Sequence, residues 1–162
     1  MCGLTGFIDF KNSSSKEILQ QCTNSLQHRG PDGAGYEFFQ LDNCQVGLGH
    51  RRLSIIDLSN AAGQPMWYKQ YCVVFNGEMY NYAEVKTELE QLGHSFKTHS
   101  DTEVMLHAWE QWGVEMIHHF IGMYVFIIYD TEKKQLYCFR DRAGVKPLYY
   151  YWHEGLFMFA SE

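Results

Sequence analysis

The second residue of the chain is a cysteine, and its position makes it the first candidate for chemistry. An initiator methionine is normally removed before a small residue, so processing would leave Cys2 with a free α-amino group beside its thiol. Such an amine has a reference pKa of about 7.7–8.0, which lets it act as a base at neutral pH. A nucleophile can be activated in this way by its own terminal amine. A cysteine at this position can also be accidental, so other segments must decide.

Two adjacent arginines interrupt an apolar, extended stretch in the segment GHRRLSIID. Successive side chains of a strand point to opposite faces, so Arg51 and Arg52 cannot both face solvent. An inward guanidinium needs an anionic partner, because an unpaired buried charge is costly. Its planar fork suits a carboxylate, which is either an internal acidic side chain or part of a ligand.

An Asn-Gly pair follows the apolar run YCVVF. Asn76-Gly77 supplies the residue types of a tight turn. A second strand does not follow it, however, because the next residues have a helical pattern. An Asn amide beside a glycine N–H is also a pair of donors suited to the oxyanion of an acyl transfer. The residues alone leave both a turn and an oxyanion site open.

A candidate carboxylate lies in the segment SDTE. Ser100 and Glu103 have the spacing of a capping box, which leaves Asp101 in the first turn of the predicted helix. An anion is favourable there, so Asp101 either belongs to the helix start alone or holds the ammonium group of a ligand. Together with the thiol, the arginine and the donor pair, it indicates hydrolysis of an amide carried by an amino acid. Glutamine is the natural candidate.

Strand and helix periodicities predict strands at both ends of the chain and helices between them. We expect one domain of the α+β class with layered packing. The predicted elements are a strand at about 3–10; a helix started by a Ser14–Glu17 capping box; a hairpin of Tyr36–Leu41 with Gln45–Gly49; an extended segment, Arg52–Ile56; a loop, Asp57–Trp67; a strand, Tyr71–Phe75, that ends at Asn76-Gly77; helices from Asn81 to Gly93 and from Ser100 to Gly113; a short helical piece at 114–120; and two hairpins after Gly122.

The composition excludes several classes of function. The net charge is −6 and the basic residues are scattered, so we expect no nucleic-acid partner. The longest strongly apolar run, Met123–Tyr129, is far shorter than the roughly 20 residues that cross a bilayer, and no charged leader opens the chain, so we expect neither a membrane partner nor a secretory signal. The 5 cysteines form no C-x-x-C pair and the 8 histidines no metal-ligand pattern. We therefore expect reduced thiols, a cytoplasmic location and no metal site.

Several motifs occur in one order along nearly the whole chain: MCGLTGF, HRGPDG, GHRRLSIIDLS, GQPM, FNGEMYN, SDTEV, GMYVFIIYD, RDRAGVKPLYY and FASE. The set resembles class II, or N-terminal-nucleophile, glutamine amidotransferase domains. Within that class it resembles the amino-terminal domain of glutamine-hydrolysing asparagine synthetases. Other branches carry a His-Thr-Arg-Trp-like segment where this chain has Arg-Arg-Leu-Ser-Ile. The resemblance implies a four-layer αββα sandwich with Cys2 at the end of a central strand.

The same resemblance implies a role for each matching residue. Cys2 attacks the side-chain carboxamide of glutamine while its own amine carries the proton. A thioester forms, ammonia leaves, and water releases glutamate. Asn76 and the Gly77 N–H hold the oxyanion. The implied substrate-binding positions are Arg52 for the α-carboxylate, Glu78 and Asp101 for the α-ammonium group, and the backbone around Leu53, Ile55 and Ile56 for the pocket wall.

The resemblance also implies a larger protein. Residues 1–162 correspond to the glutaminase domain, and we expect them to come from a longer chain with a C-terminal synthetase domain. That domain would act in cis or in trans and use the ammonia to amidate aspartate or another acceptor, such as a sugar acid. We expect no cofactor in residues 1–162, because ATP and Mg²⁺ belong to the synthetase domain. A homodimer is a candidate assembly.

Two other functions remain open from the sequence. The first is a non-catalytic module that senses glutamine or binds a protein on the same fold, and the reactivity of Cys2 separates it from an enzyme. The second is hydrolysis of a different amide, such as a bile salt or a penicillin. Arg52 and Asp101 disfavour this second function, because opposite charges suit a zwitterionic amino acid.

Overall fold

The computed structural model describes residues 1–54 and 62–162. Strands dominate both ends of this part of the chain, and most of the helical residues lie in the middle. The strands are β1 (Gly3–Asp9), β2 (Gly33–Gln40), β3 (Gln45–Arg52), β4 (Met66–Tyr68), β5 (Tyr71–Met79), β6 (Gly122–Asp130), β7 (Gln135–Arg140), β8 (Tyr149–His153) and β9 (Leu156–Ala160). The helices are α1 (Lys16–Ser25), α2 (Tyr82–Gln91), α3 (Asp101–Trp112) and a 3₁₀ helix (Gly113–His118).

The strands form two antiparallel sheets that pack face to face. One sheet has five strands in the order β2-β3-β1-β9-β8, and the other has four in the order β4-β5-β6-β7. An apolar cluster between them takes Leu4 and Leu48 from the first sheet and Val74 and Ile127 from the second. Helix α1 packs on β1, β2 and β3, while α3 packs on β4 and β5 and contacts α2. The domain is therefore the four-layer αββα sandwich that the resemblance implies.

The central strands of the four-stranded sheet are buried on both faces. Cys72 and Val74 of β5 point into the space between the sheets, whereas Val73 and Phe75 face α2 and α3. A strand covered on both faces reads as a continuous apolar run rather than as an alternating one. This explains the runs YCVVF and YVFIIY. In this packing, the start of β1 and the ends of β3 and β5 lie at the same end of the sandwich.

Several predicted boundaries are wrong. The hairpin predicted at Tyr36–Leu41 and Gln45–Gly49 has strands Gly33–Gln40 and Gln45–Arg52, because the two strands stay paired as far as Gly33 and Arg52. The N-cap of α1 is Ser15, whose hydroxyl accepts the Ile18 N–H, because the N–H and hydroxyl of Ser14 donate instead to the Asp9 carboxylate. The predicted loop 57–67 overlaps β4, a strand too short to show a period of two. The predicted extended segment Arg52–Ile56 and the loop after it lie partly outside the described residues.

The predicted end of the strand that begins at Tyr71 is also wrong, and this boundary is the most important for the site. Strand β5 does not end at Asn76-Gly77 but continues to Met79, with Gly77 opposite Tyr124 of β6. A Cβ atom at Gly77 would lie 2.3 Å from the Met123 carbonyl oxygen, so the glycine permits close packing of the two strands rather than a turn. Asn76 and Gly77 are thus held in a sheet.

The two helices predicted after Asn81 and Ser100 are confirmed, but the reciprocal capping box at Ser100 is not. Ser100 caps α3 by accepting the Thr102 N–H, while Glu103 accepts the N–H groups of Lys97 and Thr98 rather than completing a reciprocal box. Gly93 and Gly113, with φ of 94° and 56°, follow α2 and α3 in a conformation that favours glycine. Within residues 1–54 and 62–162, no helix is both long and apolar enough to cross a bilayer.

Candidate active site

A cavity of about 290 Å³ opens where β1, β3 and β5 reach the same end of the two sheets. Most of the residues that the sequence singles out line it, namely Cys2, Arg52, Leu53, Asn76, Gly77, Glu78 and Asp101. Ile55 and Ile56 lie outside the described residues. The lining also includes Met1, Ala62, Gln64, Phe75, Ser100, Thr102, Met123 and Lys146.

The Cys2 thiol lies against the chain that leaves β3. The Leu53 N–H donates to Cys2 Sγ at 3.4 Å, and Sγ is 3.7 Å from the Leu53 carbonyl oxygen. Burial raises the pKa of the thiol above its ordinary value, and the Leu53 N–H and the positive charges of the chain terminus and Arg52 partly oppose this shift. Because the thiolate is the reactive form, these three groups favour the state that can attack a substrate.

The backbone of Cys2 is anchored from the other side. Arg29 Nε donates to the Cys2 carbonyl oxygen at 3.1 Å, and the same guanidinium forms an ion pair with Glu162 at 2.7 Å. A planar guanidinium that binds two partners in this way fixes the direction of both. The thiol therefore occupies a defined position at the start of β1.

Asn76 presents an unused donor to the cavity. The residue is 1% exposed, and its Nδ2 has no hydrogen-bond partner among the described residues. A buried donor without a partner costs about 1–3 kcal/mol, so such an atom calls for a functional explanation. A ligand oxygen in the cavity would supply the missing acceptor.

The N–H of Gly77 lies on the edge of β5 that faces the cavity. Alternate N–H groups of a strand point to the same edge. On this edge the Phe75 N–H donates to Gln64 Oε1 at 2.6 Å, and the Met79 N–H donates to Asp101 Oδ2 at 3.3 Å. The Gly77 N–H lies between these two and is on the same side as they are. It forms a second donor beside the Asn76 amide.

The Asp101 carboxylate lies at the first residue of α3, buried beside the edge of β5. Desolvation raises its pKa to about 6, and the nearby negative charge of Glu78 adds to this effect. A cation bound beside this carboxylate would lower its pKa again, because an opposite charge favours the ionised form. Glu78 itself is exposed at the rim of the cavity. Glu78, Asp101 and Arg52 thus bring both signs of charge to one cavity.

The two arginines of the sequence pattern separate as the period of a strand requires. Arg51 is buried, and its Nε donates to the Gly30 carbonyl oxygen at 3.0 Å, which ties β3 to the turn before β2. Arg52, the last residue of β3, is half-buried and lines the cavity. Its charge is close enough to affect the pKa of Cys2.

Some lining residues are missed when roles are assigned from the sequence. Gln64 bridges β5 and α3, and Lys146 is 5% exposed with its Nζ 3.2 Å from the Met1 sulfur. Both residues belong to motifs that carry the resemblance, GQPM and RDRAGVKPLYY. The motifs could have pointed to them, but no role was assigned to either side chain. In the part of the chain that the structure describes, no group of three or more His, Cys, Asp or Glu side chains could hold a metal ion.

Comparison with known proteins agrees with this geometry. The family model for the glutamine amidotransferase domain matches residues 1–162. A putative asparagine synthetase [glutamine-hydrolyzing] 2 of Methanocaldococcus jannaschii is 39% identical over 178 residues, which cover 100% of this chain and 34% of that protein. Asparagine synthetase [glutamine-hydrolyzing] 1 of Bacillus subtilis is 40% identical over 168 residues, which cover 100% of this chain and 26% of that protein.

A solved structure extends the comparison to the fold. Glutamine phosphoribosylpyrophosphate amidotransferase of B. subtilis, complexed with ADP and GMP, superposes with a TM-score of 0.80 at 24% identity over 99% of this chain and 42% of that chain. At this identity the likeness concerns the fold alone. The chain spans about a third or less of the length of the two curated relatives. The family model, which matches from the first residue to the last, shows that this chain belongs to the glutamine amidotransferase domain family.

Proposed function

We propose that this domain hydrolyses L-glutamine to glutamate and ammonia, with Cys2 as the nucleophile. One observation carries the proposal: a single cavity brings together the Cys2 thiol, the buried Asp101 carboxylate and the Asn76 Nδ2 donor, which has no partner among the described residues. A thiol alone would suit many electrophiles. The donor and the carboxylate restrict the substrate to a carbonyl compound that also carries a cation, as glutamine does.

The reaction uses the thiol twice. After removal of Met1, the Cys2 amine accepts the thiol proton, and Sγ bonds to the side-chain amide carbon of glutamine. The Asn76 amide and the Gly77 N–H donate to the oxygen as it becomes negative. The amine then returns the proton to the leaving nitrogen, ammonia departs, and a thioester remains. Water then adds to the thioester carbon, the bond between this carbon and Sγ breaks, and glutamate and the free thiol are released.

Opposite charges hold the amino-acid end of the substrate. Arg52 binds the α-carboxylate, for which a guanidinium is geometrically suited. Asp101 and Glu78 bind the α-ammonium group across the cavity, and the backbone at Leu53 forms the wall beside Cys2. An amide without an α-ammonium group would leave the buried Asp101 carboxylate without this cation, so we expect such amides to bind more weakly than glutamine.

The names of the relatives suggest what the ammonia is for. Both curated relatives are named glutamine-hydrolysing asparagine synthetases, and this chain matches only part of each. We propose that a synthetase domain, in the same chain or in a partner, uses the ammonia to amidate aspartate. ATP and Mg²⁺ would act in that domain, and no cofactor in this one. The five free cysteines suit a reducing, cytoplasmic location.

Covalent labelling tests the proposed nucleophile. Treatment with a diazoketone analogue of glutamine should add one label to a chain that lacks Met1, and peptide mapping should place it on Cys2. Excess L-glutamine should slow the labelling, whereas excess D-glutamine should not. A processed chain that hydrolyses no glutamine and takes no label would contradict the proposal and favour a non-catalytic module.

The raised pKa of Asp101 predicts that glutamine binding weakens in acid. A Cys2→Ala variant binds glutamine without turning it over, so its dissociation constant reports on the charged groups alone. Asp101 becomes protonated as the pH falls through about 6 and then loses its attraction for the α-ammonium group. The dissociation constant should therefore rise by about tenfold per pH unit below that point. Calorimetric titration between pH 5 and 7.5 measures it.

Two further variants control the titration. Adding Asp101→Asn to Cys2→Ala should weaken binding at every pH and flatten the profile. Adding Asp42→Asn, at an exposed position between β2 and β3, should leave the profile unchanged. A dissociation constant that stays level from pH 7.5 to 5 in the Cys2→Ala variant would remove Asp101 from the ammonium site.

A further inference from the structure

Gln64 occupies an unusual position at the edge of β5. Strand β4 pairs with β5 only through Met66–Tyr68, and Met66 lies opposite Val73. The same register, continued by two residues, would place Gln64 opposite Phe75. The chain has no β-bridge there, yet Gln64 Oε1 accepts the Phe75 N–H at 2.6 Å. The side chain thus replaces the missing strand partner at the residue before Asn76.

The same side chain reaches α3. Gln64 Nε2 donates to Thr102 Oγ1 at 3.2 Å, and Thr102 follows Asp101 in the first turn of the helix. Asp101 in turn accepts the Met79 N–H. The edge of β5 is therefore held at both ends, by Gln64 at Phe75 and by Asp101 at Met79. The Gly77 N–H remains between them and faces the cavity.

The carbonyl of Phe75 is held as firmly as its N–H. His50, which is fully buried, lies 3.0 Å through its Nε2 from the Phe75 carbonyl oxygen. Desolvation lowers the pKa of His50 to about 4, so the ring is neutral at physiological pH and Nε2 carries the proton that it donates. Phe75 is thus held through both its N–H and its carbonyl group by the side chains of residues that do not pair with β5.

We propose that Gln64 is a positioning residue for the reaction: it aligns the Asn76 amide and the Gly77 N–H with the substrate carbonyl and couples them to the Asp101 end of the site. The inference rests on the proposed function, since it assigns these donors to the oxyanion. A displacement of about 1 Å in a catalytic donor can cost about 100-fold in rate, so a residue that touches no reacting atom can still have a large effect.

Substitution of Gln64 tests the proposal. Gln64→Leu keeps the approximate size of the side chain but loses both hydrogen bonds, and it should lower kcat by about 10- to 100-fold with a smaller change in KM. Gln64→Asn keeps the amide group, but its side chain is one methylene too short to reach the Phe75 N–H, so it should lower kcat by a similar factor. This second variant tests the proposal if Gln64→Leu folds poorly. Thr102→Val keeps the bond to Phe75 and should lower kcat less than either. Gln91→Leu, at an exposed position of α2, serves as the matched control.

A double-mutant cycle separates positioning from general damage. If Gln64 acts through Asn76 and Gly77, then Gln64→Leu should reduce kcat much less in an Asn76→Ala background than in the parent. Equal factors in both backgrounds would overturn the proposal. So would a kcat of Gln64→Leu within about threefold of that of Gln91→Leu.

Hydrogen exchange of backbone amides tests the positioning role of Gln64 without any measurement of turnover. Hydrogen exchange at Met79, whose N–H is bonded to Asp101 on the same edge of β5, should accelerate in Gln64→Leu and not in Gln91→Leu, whether or not the parent hydrolyses glutamine. An inactive parent would contradict the proposed function alone, whereas unchanged exchange at Met79 would contradict the positioning role alone.

Discussion

Replacement of Cys2 by alanine should abolish glutamine hydrolysis, with a fall in kcat of more than about 10⁴-fold. The thiol forms the covalent bond to the substrate, and no other cysteine lines the described part of the cavity. The Leu53 N–H and the Arg29 contact hold the backbone and thiol in position, but neither can supply a nucleophile. Release of glutamate and ammonia, measured together, gives the rate.

The matched control for this variant is Cys22→Ala. Cys22 lies on α1, on the outer face of the five-stranded sheet, and its thiol is free and partly exposed, as that of Cys2 is. Its loss should leave kcat within about twofold, because a surface substitution away from a site changes little. Hydrolysis that persists in Cys2→Ala but is lost in Cys22→Ala would show that Cys2 is not the nucleophile.

Replacement of Asn76 by alanine should lower kcat by roughly 10²–10³-fold with little change in KM. The Nδ2 donor is buried and has no hydrogen-bond partner among residues 1–54 and 62–162, so we expect it to donate to a bound ligand. A donor aimed at developing charge stabilises the transition state more than the bound amide, and its loss therefore appears in kcat. Steady-state kinetics with glutamine measure both constants.

Asn43→Ala, in the exposed connection between β2 and β3, controls for the substitution itself. Thermal unfolding of both variants shows whether the sheets remain intact. A kcat for Asn76→Ala within tenfold of the Asn43→Ala value would exclude the oxyanion role. A rise in KM at constant kcat would instead make Asn76 a ground-state binding residue.

Sequence patterns predicted most strands and helices of this fold better than the wall of its cavity, and the order of the four layers was implied by the family resemblance. The long apolar run YVFIIY and the helical spacing of apolar residues after Ser100 are strong signals, and these elements form as expected. Strand β4 has three residues, which is too few for a period to emerge. Asn76-Gly77 has the composition of a turn, but packing against Met123 and Tyr124 keeps it extended.

The residues of the candidate site also differ in how readily the sequence suggests their roles. Cys2, Arg52 and Asp101 have charges or reactive groups that suggest a role one residue at a time. Gln64 does not, because its importance depends on two partners that lie 11 and 38 positions away along the chain. A glutamine side chain that stands in for a strand partner becomes visible only when the register of the neighbouring strands is known.

The Arg29 contacts bring the two ends of residues 1–162 together. One guanidinium binds the Cys2 carbonyl oxygen and the Glu162 side chain, so Cys2 and Glu162 lie on either side of Arg29. For protein engineering, neither end is a neutral attachment point. An affinity peptide fused in front of Cys2 would consume its amine, and one fused directly behind Glu162 would start a single side chain away from the nucleophile. A surface loop such as the turn between β6 and β7 is the safer place for a reporter.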